Sequence, residues 1–77
     1  MKIEFADQYK ICCVVLDGTE TAADVIRKAE ESEAFIIECV DRETEETEMF
    51  YCVRFPGRPP ELYTADALYR SLRVVDW

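Results

Sequence analysis

The chain has 77 residues, with 17 acidic against 9 basic side chains, no histidine and a formal net charge of −8. That length makes a single domain, residues 1–77, and the surplus of acid argues against nucleic acid as a direct ligand, because phosphates are repelled. With 49% hydrophobic residues the chain is too apolar for a disordered acidic tail.

Residues 1–5 alternate weakly, with Ile3 and Phe5 on one face, and Asp7-Gln8 offers a turn. Tyr9 to Leu16, YKICCVVL, reads as a strand. Its last six residues are all apolar, as in an inner strand covered on both sides. Asp17-Gly18 stops it. A helix is expected from Thr19 to Ser32, because Ala22, Val25, Ile26 and Ala29 recur at one-face spacing. Thr19 or Thr21 can cap its first amides, and Thr21 with Asp24 has the form of a capping box.

A β-hairpin is expected next, from Phe35 to Phe55: FIIECV, then DRETEETE, then MFYCVRF. Opposed residues of an antiparallel pair point the same way. Joining the face of Phe35, Ile37 and Cys39 to that of Met49, Tyr51 and Val53 leaves an odd number of residues in the loop. Joining Ile36 and Val40 to it allows a two-residue Glu45-Glu46 turn. That turn lacks the Gly or Asn a tight hairpin favours, so the longer, looser tip is preferred. The segment from Pro56 to Pro60 reads as an extended connector. A second helix follows from Thr64 to about Leu72, capped by Thr64, with Ala65, Leu68, Tyr69 and Leu72 on one face. Arg73 to Trp77 reads as a short edge strand or a packed tail.

These elements predict an α+β fold: a small, mostly antiparallel sheet with two helices on one face, in the order β(β)αββα(β). The alternative is a ferredoxin-like βαββαβ arrangement, which needs residues 2–16 as one strand and 74–77 as another. The second sheet face carries many apolar residues for open solvent, which points to a homodimer or another buried surface.

Cys12, Cys13, Cys39 and Cys52 lie within strands beside Ile and Val, where a free thiol acts as a small hydrophobe. The start, Met-Lys-Ile-Glu-Phe, lacks the apolar core of a secretion signal. Buried, reduced thiols in a cytoplasmic protein are therefore expected. Without histidine or C-x-x-C spacing no metal site or cofactor is expected. The longest apolar run, from Ile11 to Leu16, is too short to span a membrane.

The charge is concentrated. Between residues 30 and 48 stand nine acids, Glu30, Glu31, Glu33, Glu38, Asp41, Glu43, Glu45, Glu46 and Glu48, and one base, Arg42. The rest of the chain is neutral by count. Carboxylates at a wet, convex tip are poor acid–base catalysts, so the chain is read as no enzyme. A concentrated field of this kind steers a basic partner. Arg54, Arg58, Arg70 and Arg73 form only a modest basic set, better explained by ion pairing than by nucleic-acid contact.

In overall character, with short length, no catalytic motif and the acidic run EESEAFIIECVDRETEETE, the chain resembles small acidic phage-encoded inhibitors of the anti-CRISPR type. The resemblance implies binding to a Cas effector, or a similar ribonucleoprotein with a basic surface, and blocking of its DNA or guide-RNA handling in the cytoplasm of a bacterial host. The nine acids would form the partner-binding surface. The alternative function is a small homodimeric regulatory or assembly module whose acids only confer solubility.

Overall fold

The computed structural model describes residues 1–72. Their elements are β1 (Lys2–Ala6), β2 (Ile11–Val15), α1 (Ala22–Glu31), β3 (Phe35–Cys39), β4 (Thr47–Arg54), β5 (Glu61–Tyr63) and α2 (Ala65–Ser71). The class is α+β: five strands form one open, mixed sheet, and both helices pack on one face through Val25, Ala29 and Leu68. β1 and β2 are separate antiparallel strands, so the ferredoxin-like alternative, which required one strand there, does not hold. The reading of residues 73–77 lies outside the described residues. No helix among the described residues is long and apolar enough to cross a membrane.

Both helices begin where their side chains satisfy the first free amides. Thr21 Oγ1 accepts from Asp24 N–H (3.2 Å), and Asp24 Oδ2 accepts in return from Thr21 N–H (3.4 Å), a reciprocal cap worth about 1 kcal/mol. Thr64 Oγ1 accepts from Ala67 N–H at 3.1 Å. At the other end of α1 the chain turns sharply: Ala34 N–H donates to Ala29 O (2.8 Å) and Glu33 N–H to Glu30 O (3.4 Å). This double closure requires a left-handed residue, and Glu33 supplies it at φ 55°, where glycine is the ordinary choice.

β4 is the hub of the sheet. It pairs antiparallel with β3 from Phe35↔Tyr51 to Cys39↔Thr47, antiparallel with β5 over Tyr51–Val53, and parallel with β2 at Val14↔Val53 and Val15↔Arg54. Cys52 N–H donates to Ala34 O (3.0 Å), and Leu16 N–H donates to Arg54 O (2.9 Å). Residues two apart in a strand send their backbone groups to the same edge. β3 and β2 therefore follow one another along one edge of β4, and β5 takes the other. With β3 already in place up to Tyr51, β2 has only the end of β4 to join.

The main core lies between helices and sheet: Val14, Leu16, Ala22, Val25, Ala29, Ala34, Tyr51, Val53 and Leu68 are buried. The second face is closed by a smaller cluster. Ala6, Cys13 and Cys52 are buried there, with Tyr9, Ile11 and Leu62 packed against them. Leu62 stands on β5 and Tyr9 in the β1–β2 turn, so side chains from both ends of the sheet cover this part of the second face. Part of the expected apolar excess is thus covered within the chain. All four cysteines are free thiols; Cys13 and Cys52 are buried, Cys12 is half-buried and Cys39 is exposed. Cys39 departs from the expected burial because it ends β3, beyond the reach of the helices.

Candidate functional site

The β3–β4 hairpin takes the even register, Ile37↔Met49 and Glu38↔Glu48, with the loose loop Val40–Glu46 at its tip. The loop is built by its own polar groups. Asp41 Oδ1 accepts from Glu43 N–H (2.8 Å) and Thr44 N–H (3.4 Å), and Asp41 O accepts from Glu45 N–H (2.8 Å). The backbone amides of Glu43 and then Thr44 hold the Asp41 carboxyl below its ordinary range. Glu45 sits at φ 56°, a second acid in the left-handed region.

Every one of the nine acids is exposed except Asp41, which is half-buried. Four ion pairs occur among the described residues, on Asp17, Glu20, Asp24 and Glu4. None involves an acid of the segment 30–48. Glu38 and Glu48 stand directly opposite one another, an arrangement that is mildly destabilising for like charges.

The structure brings these acids together in two groups rather than one. Asp41, Glu43, Glu45 and Glu46 form the tip, with Glu38 and Glu48 just below them. Glu30, Glu31 and Glu33 cluster at the end of α1, and β3 separates them from the tip by about 13 Å at ~3.3 Å per residue. That exceeds the screening length of about 8 Å at physiological salt, so the groups act largely independently. They also differ in face. Glu30 lies beside Tyr51 on the helix-bearing side, where burial first and then the Glu30 charge push the Tyr51 phenol up. Glu38 and Glu48 share the opposite side with Phe50.

A shallow groove of ≈ 250 Å³ runs between the outer half of β4 and the start of α2, lined by Thr47, Glu48, Met49, Tyr51, Thr64, Ala65 and Asp66. Sequence reasoning missed it, because Asp66 lies far from the acidic run and joins it only through the fold. The groove has an apolar floor at Met49 and Tyr51 and a carboxylate at Asp66, while the Glu48 side chain belongs to the opposite face of β4. Its size is below that of ordinary small-molecule pockets, roughly 300–1,000 Å³; it fits one long basic side chain, stem on the floor and cation at the rim. Among the described residues no group of three or more His, Cys, Asp or Glu side chains is arranged to hold a metal ion.

Comparison of the chain with family models, curated proteins and solved structures found no match.

Proposed function

We propose that this is a non-enzymatic interaction protein, an inhibitor of the phage type, that presents the β3–β4 tip to a basic nucleic-acid-binding surface of a larger protein or ribonucleoprotein. A Cas effector in the bacterial cytoplasm is the partner class the acidic run suggests. The single observation that carries the reading is the lack of any ion-pair partner for the nine acids among the described residues, beside four ion pairs elsewhere. Asp41 is engaged by the Glu43 and Thr44 amides; the other eight are exposed and stay available. The tip supplies the long-range field that speeds encounter, and the groove beside Asp66 supplies a seat for one Arg or Lys of the partner.

Replacing Glu43, Glu45, Glu46 and Glu48 together with Gln tests this. The variant keeps a polar tip and melts as the parent does, since exposed charges contribute only about 0–1 kcal/mol. Captured basic nucleoprotein from a host lysate falls at least tenfold, mainly through a slower, salt-dependent association. Undiminished capture with unchanged salt dependence overturns the reading and leaves the acids as solubilising groups. A second reading, a homodimeric module, is favoured by apolar side chains left exposed on β1.

A further inference from the structure

We infer that two copies of this chain pair through β1, edge to edge and antiparallel, in a single register with its two-fold axis at Ile3. The inference is independent of the acidic tip. β1 ends the sheet: among the described residues it pairs with β2 alone, through five consecutive positions from Lys2↔Val15 to Ala6↔Ile11. Its only protection against pairing with another chain is its short length and the charges of Lys2 and Glu4. There is no proline in Lys2–Ala6, no bulge in its ladder and no residue at positive φ.

Its outer row is apolar and open. Met1, Ile3 and Phe5 share a face and are 42%, 36% and 62% exposed. Lys2 and Glu4 point the other way and are also exposed. Placing Ile3 against Ile3 of a second copy sets Lys2 against Glu4 twice, and Phe5 against Met1 twice. Opposite charges then face each other on one side and a continuous apolar strip forms on the other. A shift of two residues sets Glu4 against Glu4 or Lys2 against Lys2. A shift of one sets the apolar row against the charged row. Charge complementarity thus selects one register and identifies the occupant as a second copy. Glu4 spends one oxygen, Oε2, on Arg54 at 2.9 Å, and its Oε1 remains for the incoming Lys2. The axis is isologous, so the pair closes without propagating into a filament. A contact of one short strand per copy is small, and the dimer is therefore a reversible one.

Sedimentation of the full chain from 5 to 500 μM tests this. A concentration-dependent monomer–dimer equilibrium is expected. Lys2→Glu, which makes both facing pairs like-charged, weakens the dimer at least tenfold. Adding Glu4→Lys and Arg54→Glu to it reverses Lys2, Glu4 and Arg54 together, restores each facing pair and the internal ion pair, and recovers dissociation to within threefold. Ile3→Lys, on the axis, gives monomer throughout the range. A parent chain that stays monomeric at 500 μM overturns the proposal, whether the edge is bare or covered by residues 73–77. Retention of the parent dissociation constant by Ile3→Lys overturns it as well, whatever the triple variant does. A triple variant that melts cooperatively yet stays as weak as Lys2→Glu overturns the register.

Discussion

The sheet contains two antiparallel hairpins that solve opposite problems. In β1–β2 the connection is short, Glu4 is paired with Arg54, and the turn end packs over Cys13 and Cys52. In β3–β4 the base, at Phe35, Tyr51 and Val53, meets the helices, while the outer half runs past them into solvent. Its tip carries carboxylates only with carboxylates and threonines for company, apart from Arg42. The first hairpin ties Glu4 to Arg54 and leaves apolar surface to spare. The second leaves charge to spare and folds by its base alone. Surplus of either kind marks where a partner of matching chemistry has something to gain.

The comparison breaks most visibly at the level of the core. Leu68 is fully buried between α2 and the sheet, whereas Ile37 is 59% exposed on the outer hairpin. Leu68→Ala should cost about 2–5 kcal/mol in urea unfolding, much of the stability of so small a domain. Ile37→Ala should lie within about 0.5 kcal/mol of the parent. Equal effects would show that the outer half is folded into the core after all.

A smaller effect is expected in alkali. Burial, then the neighbouring Cys52, pushes the Cys13 thiol up to about 12, and burial raises Cys52 in the same direction. A raised pKa means that the folded state holds the proton more tightly. The stability this contributes is complete below the unfolded thiol pKa, roughly 8.5, and is lost as pH rises towards 12. Melting temperature should hold steady to about pH 8.5 and then fall, less steeply in Cys13→Ala. The same burial predicts that iodoacetamide labels Cys39 at once and Cys13 and Cys52 only at the rate of global opening. Fast labelling of Cys13 at neutral pH contradicts the placement.

The smallest effect is a gain. Glu33 closes α1 in the left-handed region at φ 55°, a conformation that disfavours side chains by roughly 1–2 kcal/mol and suits glycine. Glu33→Gly should therefore raise stability by about 0.5–1 kcal/mol, read as a higher urea midpoint with unchanged slope. A loss would mean that the Glu33 side chain supports the fold by contacts of its own.

Both helices were legible in the sequence because Thr21 and Thr64 cap runs with clear one-face spacing, and local chemistry decides a helix end. The hairpin register was legible from side-chain parity together with the absence of Gly or Asn at Glu45-Glu46. β5 was not. Glu61-Leu62-Tyr63 follows two prolines and is too short to show alternation; only its pairing with β4 makes it a strand. The expected connector thus ends in a strand. The parallel contact of β2 with β4 was equally hidden, since periodicity shows which face is buried but not which strand lies alongside. For the candidate site, the acids were legible by count. Their division between two faces, their lack of ion-pair partners among the described residues and the contribution of Asp66 arise from the folding of distant segments onto one another.

The parallel seam has a kinetic consequence. β1 with β2 and β3 with β4 are neighbours in sequence, and each pair closes over a short loop on the microsecond scale expected of hairpins. Val14↔Val53 and Val15↔Arg54 join residues half the chain apart. Their meeting must await α1 and both hairpins, and loop-closure entropy opposes it until Leu16, Val25 and Leu68 close together over it. The rate-limiting step of folding should thus be the docking of two preformed hairpins at this seam. Substitutions at Val14 and Val53 would then slow refolding, while those at the outer hairpin would leave the refolding rate nearly unchanged.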